Sequence, residues 1–193
     1  MKVGQIAVTA DHKIFFCSGL DGSLMHLLDG RHEIQVFEFD GQIRDLACTG
    51  EAEVIYFSVV PTPQNGEPLA DGKIYRRHFG EGRPTVVATI RQADVGGNWW
   101  GAFTIKDGAI HIATLENDSR IFKVAGEAVT EVGRSNGHKI RGLTVGGDGA
   151  FYFVDGNGKV FKTTNFQTAE SVLTTGRRLT DVNLAAPTDG ARP

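Results

Sequence analysis

The apolar and polar positions of this chain repeat as a four-part unit. An apolar alternation gives way to a turn with Asp or Gly, then a short β-branched and aromatic run, then a second polar turn. A run ending in a basic residue, a third turn and a final alternation complete the unit. Each part has the length of one β-strand, and successive side chains of a strand point to opposite faces. The second parts are Ile14-Phe15-Phe16, Ile55-Tyr56-Phe57, Ile110-His111-Ile112 and Phe151-Tyr152-Phe153. The third parts are Leu24-Met25-His26, Ile74-Tyr75-Arg76, Ile121-Phe122-Lys123 and Val160-Phe161-Lys162. First parts centre on Ile6, Leu46, Ala102 and Leu143, and fourth parts cover Glu33 to Phe39, Thr85 to Ile90, Ala128 to Val132 and Ser171 to Thr174. Helical periodicity is absent over any useful length.

Four strands per repeat, at about 40 residues per repeat, is the pattern of propeller blades. A lone four-stranded meander exposes two apolar faces, and arranging blades around a ring buries each against a neighbour. The expected fold is therefore an all-β, four-bladed β-propeller in one domain, with repeats at roughly 3–40, 41–92, 97–135 and 138–176 and a C-terminal strand and tail at 177–193. Blade two is lengthened by a Pro-rich insertion, Pro61 to Ala70, a place where repeat proteins often decorate a binding face. Thr180 to Leu184 reads as a surplus first strand. It could close the ring, pair with another subunit in a homo-oligomer, or belong to a longer protein.

Composition agrees with a packed domain: hydrophobic residues are 40%, charged residues 22%, and the net charge of −3 mixes both signs. That balance indicates neither disorder nor a bulk nucleic-acid-binding surface. The 25 glycines fall singly between apolar runs, as turns between short strands require. No apolar stretch is long enough for a signal peptide or a membrane span, so the expected location is the cytoplasm. Cys17 and Cys48 each lie in an apolar run and are expected to be free thiols.

The hairpin from Gly149 to Lys162, with its order of Gly, apolar, aromatic, Phe, Asp, Gly and basic residue, resembles the blades of gluconolactonase-like, NHL-type and tectonin-type propellers. The resemblance covers about 170 residues and concerns architecture. These hairpins lack the tryptophan usual in tectonin blades, and a six-bladed lactonase would need two more repeats.

In a propeller, the loop entering each innermost strand points at one mouth of the central channel. Register puts Gln42, Asn98, Lys139 and Arg178 just before that strand, and Arg44, Trp100 and Arg141 two residues later. The cations suit a carboxylate, a phosphate or an acidic peptide, and Trp99 or Trp100 could offer a stacking face. The alternative is that the arginines pair with Asp45, Asp94 and Asp181 around a solvated rim while the tryptophans plug the channel. Asn98, Asp45 and Asp181 are the one set that a metal-dependent lactonase could use, although a hard cation wants six or more oxygen ligands. Asp155-Gly156-Asn157-Gly158 is read as a hairpin turn rather than a calcium loop. The six histidines have no metal-ligand spacing, no Gly-x-Ser-x-Gly elbow or phosphate loop occurs, and neither cysteine has a placed histidine. The basic cluster Lys73, Arg76, Arg77, His78 splits between two strand faces and reads as a solvated edge. Phe37 and Phe39 could form an exposed patch in the outermost strand of blade one. The expectation is a non-enzymatic ligand- or protein-binding module, with no catalytic residue, metal or cofactor and no nucleic-acid or membrane partner. The rivals are a metal-dependent lactonase or sugar-acid hydrolase, and a part of a larger propeller formed by self-association.

Overall fold

The computed structural model describes residues 5–9, 13–18, 24–29, 32–38, 41–49, 51, 54–61, 70–78 and 82–177. They form four antiparallel sheets of four strands each, arranged as a four-bladed β-propeller. Blade one contains β1 (Ile6–Val8), β2 (Ile14–Ser18), β3 (Leu24–Asp29) and β4 (His32–Glu38). Blade two contains β5 (Gln42–Ala47), β6 (Val54–Val60), β7 (Gly72–His78) and β8 (Thr85–Ile90). Blade three contains β9 (Trp100–Lys106), β10 (Ala109–Thr114), β11 (Arg120–Ala125) and β12 (Ala128–Arg134). Blade four contains β13 (Ile140–Val145), β14 (Phe151–Asp155), β15 (Lys159–Thr163) and β16 (Glu170–Thr174). A 3-10 turn, Gln92–Val95, which periodicity did not reveal, leads from blade two into blade three. The surplus strand at Thr180 to Leu184, the interior of the Pro61 to Ala70 insertion and Phe39 lie outside the described residues, as does the side chain of Phe37.

Each blade is a meander in sequence order, and the first strands β5 and β13 each pack against the first strand β9 of the blade between them. The apolar faces meet between blades. Phe15, Met25 and Leu27 of blade one bury against Leu46, Ile55 and Phe57 of blade two. Ile74 and Ile90 of blade two meet Trp100, Phe103 and Ile112 of blade three, and Ile121 of blade three meets Leu143, Phe153 and Phe161 of blade four. This burial between neighbouring sheets is the term that favours the assembled blades over separate hairpins.

Strand pairing corrects two details of the repeat. In blades two, three and four the middle residue of the second strand lies opposite the basic residue of the third: Tyr56 opposite Arg76, His111 opposite Lys123, Tyr152 opposite Lys162. In blade one the residue opposite His26 is Phe16, whose ring stacks on the imidazole at 4.9 Å. Phe15-Phe16-Cys17 is thus the equivalent triplet, and the long apolar run Ile14 to Cys17 concealed a shift of one. The second correction, in blade three, falls in the candidate site.

Both cysteines are thiols outside any disulfide, Cys17 buried and Cys48 half-buried. Asp155 to Gly158 is a hairpin turn: Asp155 Oδ1 accepts the N–H of Asn157 at 2.9 Å and of Lys159 at 3.1 Å, and Gly158 takes φ of 82°. A left-handed backbone of that kind favours glycine.

Candidate functional site

The innermost strands carry the same irregularity in three blades. Pairing of β5 with β6 skips Arg44, pairing of β9 with β10 skips Gly101, and pairing of β13 with β14 skips Arg141. A bulge of this type leaves one residue unpaired and re-aims its side chain. The flanking residues Ile43, Trp100 and Ile140 occupy the equivalent paired positions and are buried, with Trp100 fully so. Trp100 therefore belongs to the core between blades two and three and does not face the mouth. Its neighbour Trp99, half-buried, faces the mouth instead. The matching dipeptides are Ile43-Arg44, Trp100-Gly101 and Ile140-Arg141, so register reading in blade three was one residue out, which in a strand exchanges the two faces.

Two adjoining clefts open at this end. The first, about 380 Å³, is lined by Arg44, Asn98, Trp99, Leu115, Glu116 and Lys139. The second, about 430 Å³, is lined by Lys139 and Arg141 together with His138, Asn117, Asp155 and Asn157. Lys139 is common to both. Of the residues expected at the mouth, Arg44, Asn98, Trp99, Lys139 and Arg141 come together here. Gln42 is half-buried at the start of β5, paired with Val60, and lines neither cleft. Arg178 lies outside the described residues.

Pattern reading missed the turn between second and third strands. Leu115, Glu116 and Asn117 follow β10, and Gly156 and Asn157 follow β14, so blades three and four contribute this turn as well as the entry loop. The Pro61 to Ala70 insertion leaves blade two at the same end, because Val60 pairs with Gln42. On its return, Asp71 Oδ1 accepts the Gln92 N–H at 2.9 Å and the Ala70 carbonyl accepts from Gln92 Nε2 at 3.1 Å. These bonds tie the insertion to the turn that precedes Asn98.

The electrostatics are governed by cations without carboxylate partners. Among the described residues Arg44, Lys139 and Arg141 form no ion pair, and the Nε–H groups of Arg44 and Arg141 are buried without an acceptor. Asp45 and Asp94 do not pair with them: Asp94 takes Arg91 at 3.1 Å, and Asp45 is held by backbone amides. The Arg44 guanidinium lies over the Trp99 ring, 4.7 Å from its centroid, bridging blades two and three. Burial pulls Arg44 below the usual arginine range, the mark of a cation separated from water without a compensating anion. The carboxylates at the clefts already have donors. Glu116 Oε1 accepts the Thr114 hydroxyl at 2.9 Å, and Asp155 Oδ2 faces His138 Nδ1 at 3.5 Å. His138 is held in turn: its carbonyl accepts the Ser119 N–H at 3.1 Å and the Ser135 hydroxyl, and its ring lies 4.1 Å from that of Phe161.

The proposed divalent-metal set does not assemble among the described residues. The Asp45 carboxylate is spent on Leu46 N–H at 2.9 Å and Phe103 N–H at 2.8 Å, and Asp181 lies outside the described residues.

No protein-family model matches the chain, and no curated protein sequence does either. Solved structures do. A gluconolactonase from Xanthomonas campestris, described as important in glucose secondary metabolic pathways, superposes at TM-score 0.67 with 13% identity, over 93% of this chain and 64% of that one. Regucalcin, a calcium-binding protein from Agrobacterium tumefaciens, superposes at 0.57 with 14% identity, over 93% and 62%. Streptogramin B lyase superposes at 0.53 with 21% identity, over 88% and 53%. The chain thus spans less than two thirds of the length of each of these proteins. At such identities the likeness is one of propeller fold, and function has to be argued from the site.

Proposed function

We propose that this chain is a non-enzymatic binding module that takes up a small anionic ligand at the mouth of the propeller. The observation that carries the reading is the pair of bulge arginines, Arg44 and Arg141, each with a buried Nε–H that no protein group accepts. A buried donor without a partner costs about 1–3 kcal/mol, so a site that keeps two of them is suited to an acceptor from outside. Lys139 adds a third cation, and Trp99 offers a flat apolar surface stiffened by Arg44. Arginine favours carboxylate and phosphate because its planar fork matches two oxygens at once.

Thermal unfolding of the purified protein against a panel of carboxylates and phosphates tests this reading. A ligand that binds the folded state raises the midpoint by mass action. The expected result is a concentration-dependent rise with at least one anion, abolished in the Arg44→Met, Arg141→Met double variant. An unchanged midpoint across the panel counts against the reading.

The rival reading, a lactonase or sugar-acid hydrolase, draws on the likeness to the gluconolactonase and on Asn98 at the first cleft. It predicts metal-dependent lactone hydrolysis that Asn98→Ala abolishes. The commitment of Asp45 to two backbone amides favours the binding module.

A further inference from the structure

Each of the two clefts has its own unsatisfied cation, and Lys139 belongs to both. We propose that the ligand carries two anionic groups and bridges the clefts, one group at Arg44 and the other at Arg141. This rests on the anion-binding reading and narrows it to a class: small dianions with a short spacer, such as α,ω-dicarboxylates.

Glu116 has the Thr114 hydroxyl, and Asp155 has two backbone amides and the facing imidazole of His138. What remains without an acceptor is a buried Nε–H on each of two arginines, Arg44 lining the first cleft and Arg141 lining the second. A monoanion satisfies one of them and leaves the other dehydrated and unpaired. A dianion satisfies both, and its second contact forms within an already bound molecule, so its affinity exceeds that of either end alone. Lys139 offers charge to either end, and the ring of Trp99 gives a short apolar spacer a surface to lie on. Asn98, Asn117 and Asn157 are neutral and polar, and the two carboxylates that line the clefts, Glu116 and Asp155, already have donors of their own.

The bulges give this arrangement its geometric basis. Arg44 and Arg141 are equivalent positions of blades two and four, and the equivalent position of the intervening blade is Gly101. A Cβ at Gly101 would meet Leu115 Cδ2 at 2.9 Å. Blade three therefore presents the apolar side chain of Leu115 at that level rather than a third cation, so the two arginines are the cations that the bulges supply.

Isothermal titration of the whole chain with unbranched dicarboxylates from succinate to suberate, alongside the matching monocarboxylates, tests the proposal. Affinity is expected to peak at one chain length and to exceed that of the matched monocarboxylate by at least about tenfold. Arg44→Met and Arg141→Met, each verified as folded by circular dichroism, should each reduce the best dicarboxylate to the monocarboxylate level. If monocarboxylates bind as tightly as dicarboxylates of every length, bridging is overturned while anion binding survives. If neither series binds the unmodified protein, both readings fall.

Discussion

The carboxylate of Asp45 joins two blades, accepting the N–H of Leu46 on its own strand and, with its other oxygen at 2.8 Å, the N–H of Phe103 on the first strand of blade three. Asp45 is 2% exposed, so both bonds are shielded from water. Asp45→Ala removes them and leaves two buried amides unpaired, at an expected cost of about 3 kcal/mol. Asp45→Asn retains one acceptor oxygen and should lose less. Urea unfolding of both variants measures the difference, and equal losses would mean that the charge itself, rather than the two bonds, holds the blades.

Trp99 and Trp100 are neighbours with opposite duties. Trp100 is fully buried beside Gly72, where an added Cβ would approach Trp100 Cζ2 to 2.5 Å. Trp100→Ala should destabilise by about 3–5 kcal/mol, and Gly72→Ala should destabilise as well because no space remains. Trp100→Phe should be far milder, since the indole N–H has no acceptor to lose. Trp99→Ala, which removes a half-buried ring packed against the same core, should destabilise less than Trp100→Ala and weaken anion binding. Denaturation and binding measured on the same four variants separate these outcomes.

Arg44 should be expendable for folding. Its buried Nε–H is unpaired, and burial lowers its proton affinity, so replacing it by the similarly long, apolar Met removes a dehydrated charge. The midpoint of Arg44→Met is expected to stay within a few degrees of the parent or to rise while anion binding is lost. A large fall in the midpoint would make Arg44 a structural residue.

His111 should make stability depend on pH. Burial lowers its pKa, opposed by a backbone hydrogen bond at Ala109 and aided by Lys123 and Lys106, with Asp107 acting in the opposite direction. The ring is edge-on to Phe151 of blade four at 4.9 Å, at a contact between blades. The folded protein thus keeps this imidazole neutral at pH values where the unfolded chain binds a proton, near the ordinary value of about 6.5. Its contribution is complete above that value and is lost as pH falls through it toward the lower folded value. Unfolding free energies between pH 8 and 5 should therefore decline, and His111→Leu should decline less steeply. Parallel slopes would assign the pH dependence to other groups.

The blades were legible because their strands obey simple alternation. Ile55-Tyr56-Phe57 and Phe151-Tyr152-Phe153 align at sight, and both lie where their pattern predicts. The site was legible only in part. Period-two reading assumes unbroken pairing, and the bulges at Arg44, Gly101 and Arg141 break it. Arg44 and Arg141 were found because their strands share the bulge. Blade three was misread by one residue because Trp99-Trp100 offers two similar side chains, and only burial tells them apart. The recurrence of Ile-Arg in blades two and four, against Trp-Gly in blade three, is the signal that could have set the register. Leu115 to Asn117 and Asp155 to Asn157 were visible only as turn residues, because their place at the mouth depends on how blades stack.

The most direct test of the anion-attracting mouth is fluorescence quenching of Trp99 in the Trp100→Phe protein, comparing iodide with caesium at equal ionic strength. Arg44, Lys139 and Arg141 should concentrate the anion, so iodide should quench several-fold more strongly than caesium after correction for their intrinsic efficiencies, and the preference should vanish in the Arg44→Met, Arg141→Met background. Equal corrected quenching by the two ions, or an iodide preference that survives loss of both arginines, would contradict the account.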